Sequence, residues 1–336
     1  MRKALLLSTL LLPFMACFSQ SGSVIINSVS QRSDESGLVD VHYDLSGAQS
    51  DYYVNMRVSF NEGLNFFPIS PASMSGDVGP VSPGTSKHIV WNPTIDHPNR
   101  YSPQAKLLVV AYHINNSNFC PGTPTVTDYD GNVYATVQIG DQCWMASNLN
   151  SIRNAAGNSI TRKCYADNPV NCEYYGGLYS WATVMNGASS SNSNPSGVQG
   201  ICPNGWHVPG DAEWTQLTGY LISTYVDVTS SNVGNRLKSC RQLSSPLGND
   251  CNTSDHPRWN SNATHYGTND FGFSALPGGF DNLGSFGSLG AYGYWWSAME
   301  STSGYAWYRS IYSGNGNVSR NNTLKTTGHS LRCLKD

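Results

Sequence analysis

Residues 200–214 read GICPNGWHVPGDAEW, which places a cysteine, a histidine, an aspartate and a glutamate side by side. Such a cluster is either reactive or it is the grammar of a helix start. Pro209 disfavours helix at the residue before it, and Asn204-Gly205 is turn chemistry. Trp206 and Val208 alternate around His207 as in a short strand. With Gly210 as N-cap, Asp211 falls at N1 and Glu213 at N3. From N3, Glu213 reaches back to the cap amide, the acidic half of a capping box, and both carboxylates sit at the positive end of the helix dipole. Downstream, Trp214, Leu217 and Leu221 recur three and four apart, so the stretch predicts strand, turn and then a helix over 211–225.

The competing reading makes Cys202 a nucleophile and His207 its base, oriented by Glu213 or Asp211. It requires a free thiol, and the cysteine pattern argues otherwise. The chain starts Met1-Arg2-Lys3 and continues with an apolar run too short to cross a bilayer, the form of a secretory signal peptide over 1–19. Cleavage before Gln20 is expected, with lipidation of Cys17 as the alternative. Eight cysteines follow the leader, and an even number in an exported chain predicts disulfides. Cys164 with Cys172 and Cys240 with Cys251 are close enough in sequence to staple local loops. Cys120, Cys143, Cys202 and Cys333 are left to pair in an order the spacing does not choose. An exported chain with an even cysteine count tends to oxidise the thiol that this reading of Cys202 needs.

Only 12% of the 336 residues are charged and the net charge is -3, against about 25% charged in an average domain. No basic patch exists to attract phosphate, so nucleic acid is excluded as a partner. No segment after the leader is apolar for long enough to span a membrane. Asp128, Asp130 and Asn132 suggest a calcium loop, but Val133 stands where an EF-hand needs glycine and Ile139 where it needs glutamate; the reading is a tight turn at Asp130-Gly131. No nucleophile elbow, zinc-binding helix or phosphate loop is present. No catalytic residue, metal or cofactor is assigned.

Residues 24–112 lack cysteine and alternate as strands do at 39–45, 54–60, 88–91 and 106–112, with Gly and Pro at the joints, including Gly63 and Gly79-Pro80. An immunoglobulin-like all-β sandwich is expected over 20–114, a linker over 115–125, and a second unit over 126–336. In that unit a short helix is expected at 179–185 and strands at 294–299, 305–312, 316–320 and 330–334.

The second unit carries DYDGNVYATVQIGDQCWMASNL, CEYYGGLYSWATVMN, GFSALPGGF, GYWWSAMESTSGYAWYRSIY and a closing GHSLRCLKD around the opening stretch. In that order they resemble the Fibrobacter succinogenes major paralogous domain, found in surface and secreted proteins of Bacteroidetes and Fibrobacteres. SCRQLSSPLGNDC is similar to a cysteine-closed loop of that family, in keeping with a Cys240–Cys251 pair. MRVSF, GDVG, IVW and DHP resemble marks of the sandwich module that often precedes it. The resemblance implies an α+β, C-type-lectin-like fold, related also to the formylglycine-generating enzyme. The reactive cysteine pair of that enzyme and the calcium motifs of sugar-binding lectins are absent.

Function is therefore expected in recognition: a secreted or cell-surface, non-catalytic binding or adhesion protein whose partner is an extracellular glycan or another surface protein. Trp259, Tyr266, Trp295, Trp296, Trp307 and Tyr308 are the candidate ligand-binding rings, since aromatic faces stack on sugars. Each ring has core packing as its competing role. The alternatives are an enzyme on the same scaffold using His207, and a structural or fimbria-associated spacer.

Overall fold

A computed structural model describes residues 23–47, 52–60, 62, 67–69, 73–96, 102–113, 119–248 and 251–336. The leader with Cys17 and Gln20, the turn at Gly63 and linker residues 115–118 lie outside them. The chain divides into two compact units between Asn115 and Asn116. Both are mostly β.

The first unit contains β1 (Ser23–Gln31), β2 (Val39–Ser46), β3 (Tyr52–Ser59), β4 (Phe67–Pro68), β5 (Met74–Gly76), β6 (Gly79–Val81), β7 (Gly84–Trp91), a single turn α1 (Pro93–Asp96) and β8 (Lys106–His113). One sheet runs β1-β2-β7-β5, and β3 pairs with β4, β6 and β8 in the other. Val39, Val41, Tyr43 and Leu45 of β2 are buried, as are Val54, Met56 and Val58 of β3, and they join one apolar cluster with Ile89 and Trp91. Period-two alternation produces this core: each strand turns every second side chain inward. The expected strands all form. β1 was not expected, because its register shifts between Ile26 and Ser28 and its burial never exceeds partial, which blurs the alternation.

The second unit contains β9 (Thr125–Thr127), β10 (Val133–Ile139), β11 (Gln142–Met145), α2 (Pro169–Tyr175), α3 (Trp181–Met185), β12 (Trp206–His207), α4 (Asp211–Thr224), α5 (Val233–Leu237), β13 (Phe280–Asn282), β14 (Ser285–Gly287), β15 (Tyr292–Thr302), β16 (Tyr305–Tyr312), β17 (Val318–Leu324) and β18 (Leu334–Lys335). A five-stranded sheet runs β12-β18-β11-β10-β9, a second sheet runs β15-β16-β17, and β13-β14 is a hairpin. Long loops fill the rest, pinned by Cys120–Cys143, Cys164–Cys172, Cys202–Cys333 and Cys240–Cys251. The two local pairs are those read from spacing, and the other four cysteines are now paired. Residues 120–125, read as linker, are held in this unit by Cys120–Cys143 and by the pairing of β9 with β10.

Two apolar clusters form in this unit. Trp144, Trp214, Leu217, Leu221, Trp259, Phe273 and Trp295 share one; Met145, Tyr179, Trp181, Trp206, Trp296 and Leu331 share the other. The Asp128–Asn132 loop joins β9 to β10 as a turn, with the amides of Asp130 and Asn132 both donating to Asp128 Oδ1 (2.9 Å each). The 330–334 strand shrinks to β18, since Ser330 makes only an isolated bridge to Trp295. β17 runs on to Leu324, beyond the expected end; Asn321 and Asn322 are exposed, so no apolar period marks the extension in the sequence.

Candidate functional site

At the start of α4, Gly210 caps the helix. Its amide donates to Glu213 Oε2 (2.8 Å), as does the amide of Ser196 (3.2 Å). The other oxygen of Glu213 lies 2.9 Å from His207 Nε2, and His207 Nδ1 lies 2.6 Å from Asp336 Oδ1. An imidazole with a carboxylate at each nitrogen donates through both when it is imidazolium. Burial opposes that charge, but the hydrogen bonds and charges of Glu213 and Asp336 outweigh it and raise the ring's pKa above its ordinary value. The ring closes β12, α4 and the C-terminal segment into one knot.

Asp211 points the other way. Its Oδ1 accepts from Arg309 Nη2 (2.8 Å) and its Oδ2 from Arg320 Nε (2.7 Å), which ties the helix start to β16 and β17. Cys202 is bonded to Cys333, so the thiol the enzyme reading requires is consumed. A shallow hollow of about 380 Å³ adjoins His207 and Asp336, but both ring nitrogens are already engaged. Among the described residues, no group of three or more His, Cys, Asp or Glu is placed to hold a metal.

Other buried polar groups are framework as well. Arg332 is fully buried, donates to Asn148 Oδ1 (3.0 Å) and to Phe273 O, and covers the Phe273 ring at 4.2 Å; burial lowers its pKa to about 9. Lys238 donates to the carbonyls of His265 and Asn315 (2.7 Å each), and burial lowers its pKa to about 7.

Of the six candidate rings, Trp259, Trp295 and Trp296 are 0–1% exposed and offer no face to a ligand. The correction has a geometric reason. Successive residues on a strand point to opposite faces, and β15 is covered on both: Trp295 enters the cluster under α4 and Trp296 the other cluster. Trp259 donates from Nε1 to Ala275 O (3.1 Å). Trp307 is half-buried, with the Arg320 guanidinium 3.4 Å over its ring. Tyr266 is half-buried in a loop, and Tyr308 is half-buried on the face of the sheet away from α4.

Around Tyr308 the structure gathers rings the sequence reading passed over. In the β15–β16 register Tyr292 lies opposite Tyr312 and Trp296 opposite Tyr308, so Tyr292, Tyr294, Tyr308 and Tyr312 share one face. All four are half-buried. Tyr292 stacks on Tyr312 (4.3 Å between centroids) and on Tyr294 (5.3 Å), and Tyr294 meets Tyr308 edge-on at 5.6 Å. Burial raises the pKa of Tyr294 to about 12 and also raises that of Tyr308, so those two rings stay neutral phenols. Beneath them His329 stacks on Tyr294 (4.9 Å), and burial lowers its pKa to about 3. Ser319 and Asn321 on β17 register opposite Ser310 and Tyr308 and continue the same face. The signal was present in sequence for Tyr294, Tyr308 and Tyr312 as even-numbered tyrosines on two expected strands, with Tyr292 just before the first, but periodicity does not tell which set turns outward.

No helix of the described residues is long and apolar enough to cross a membrane, and four disulfides fit an extracellular protein. No curated protein and no solved structure matches the chain. The model of the Fibrobacter succinogenes major domain matches residues 137–335, more than half of the chain and most of the second unit. The chain belongs to the Fibrobacter succinogenes major domain family.

Proposed function

We propose that this is a secreted or cell-surface, non-catalytic recognition protein that binds extracellular glycan through the tyrosine row of β15 and β16. One observation carries the reading: Tyr292, Tyr294, Tyr308 and Tyr312 form a continuous half-buried aromatic face. Flat rings supply area for the C–H faces of sugars, and phenol, hydroxyl and amide groups supply hydrogen bonds without ionic competition. The groups that resemble catalytic machinery are occupied by one another. Export through the leader at 1–19, an immunoglobulin-like first unit and a C-type-lectin-like second unit belong to the same reading.

The test is retention on a panel of immobilised neutral polysaccharides, comparing the wild-type chain with Tyr292→Ala/Tyr312→Ala. Retention on at least one polysaccharide, weakened about tenfold by the double substitution, is expected from the loss of two stacked rings. Absence of retention throughout the panel, or retention indifferent to the substitutions, refutes the reading.

A further inference from the structure

A cleft of about 460 Å³ opens at the C-terminal end of α4, and its walls include Gln138, Tyr220, Tyr225, Asp227, Asp270 and Phe271. Its volume falls within the roughly 300–1,000 Å³ of small-molecule sites. Its walls are braced. Tyr225 and Phe271 pack with centroids 4.8 Å apart. Tyr220 lies against Gly140, which has φ +60 and where an added Cβ would stand 2.9 Å from the ring; only glycine lets the ring lie there unstrained. Gln138 donates from Nε2 to Gly140 O (2.7 Å), which fixes its amide at the cleft wall.

The charges are fixed too. Arg236, on α5, donates from Nη1 to Asp270 and from Nη2 to Asp227. Burial opposes its charge, but the two carboxylates outweigh that and raise its pKa. Asp227 remains 64% exposed and Asp270 32%, so both keep acceptor capacity toward water. We propose that this cleft binds a neutral pyranose unit of a saccharide, with Tyr225 and Phe271 against its C–H face and Asp227, Asp270 and Gln138 on its hydroxyls.

The charge pattern selects that class. A cation would have to compete with Arg236 for the same two carboxylates. An anion would meet both carboxylates, only one of them balanced by the arginine. A hydroxyl both donates and accepts, so it is served by a carboxylate already held in place, and such charge-assisted bonds are the stronger kind. The proposal shares its ligand class with the tyrosine row but not its surface. α4 packs on the opposite face of the β15–β17 sheet, through Asp211 with Arg309 and Trp214 with Trp295, so either site can fail alone.

The experiment is ligand-observed saturation-transfer NMR on the full chain with cellobiose, maltose and lactose, alongside spermidine and digalacturonate. At least one neutral disaccharide is expected to bind saturably with a Kd on the order of 1 mM. Tyr225→Ala and Asp227→Asn should each weaken it about tenfold, the scale of one stacked ring or one charge-assisted bond. Both residues are on the surface, so an unchanged Tm shows that the fold is intact. Tyr292→Ala/Tyr312→Ala should leave this binding unaltered. The proposal is overturned if none of the three disaccharides binds, if binding survives both cleft substitutions, or if spermidine binds more tightly. Binding lost in the tyrosine-row variant and kept in the cleft variants overturns it and supports the row.

Discussion

The two units reach a folded state by different means. In the first, strands alternate, every second side chain enters one apolar cluster, and no cysteine is needed between residues 24 and 112. In the second, short strands and helices are separated by long loops, and four disulfides and two buried ionic knots add their hold to that of its two apolar clusters. Where regular structure is sparse, fewer backbone groups are satisfied by ladders, and side chains must take over that work. Polar residues that look reactive are then the expected framework material of a loop-rich domain.

The largest effect that would test this contrast is reduction. Cys202–Cys333 spans 131 residues, and a loop of that order is worth about 4–5 kcal/mol on the chain-entropy account. A thiol reductant, or Cys202→Ala/Cys333→Ala, should remove the calorimetric transition of the second unit and leave that of the first at its original temperature. If both transitions fall together, the contrast is wrong.

Next in size is Glu213→Ala. It leaves His207 buried without its inner carboxylate and strips the Gly210 and Ser196 amides of their acceptor, and breaking a buried pair costs about 3–5 kcal/mol. Denaturant unfolding should show that loss in the second transition alone.

Two histidines of the second unit sharpen the comparison through pH, with opposite signs. The folded pKa of His207 is raised, so its contribution is fully present below the unfolded value near 6.5 and is lost as pH climbs through the higher folded value. His329 is lowered to about 3 by burial. Its contribution is present above pH 6.5 and drains away as pH falls toward 3, by at most about 5 kcal/mol. His329→Phe, placed among Tyr294, Trp296 and Tyr308, should flatten the acid limb of the second unit's stability curve. An unchanged limb would mean that His329 is not kept neutral by its surroundings.

The same difference explains what could be read from sequence. Val39, Val41, Tyr43 and Leu45 announce a strand because burial on one face writes a period of two. The helix at Asp211 was legible because its cap, acidic first turn and apolar spacing agree. α2 goes unmarked although Asn168 caps it and Pro169 fills its first position, since only Cys172 and Tyr175 of its residues are buried and two positions set no repeat. α5 is shorter still. Local disulfides were readable from spacing, whereas Cys202–Cys333 depends on β12 and β18 meeting across the chain. Trp295 and Trp296 were half-readable: adjacent residues must diverge, but that both faces of β15 are covered is a tertiary fact. The tyrosine row has the same origin, because how much of each ring stays open depends on how far the His329 segment covers that face.

The central claim is that framework and recognition are separate sets of residues. It is tested most directly by measuring Tm and polysaccharide retention together for His207→Leu and for Tyr292→Ala/Tyr312→Ala. The account predicts a crossed result: the histidine variant loses several degrees of Tm and keeps its retention at temperatures where it is folded, while the tyrosine variant, which gives up only its ring stacking, loses a few degrees at most and still loses about tenfold in retention where it is folded. A histidine variant that keeps its Tm but loses retention, or loses a turnover of glycan that the wild type performs, would contradict it.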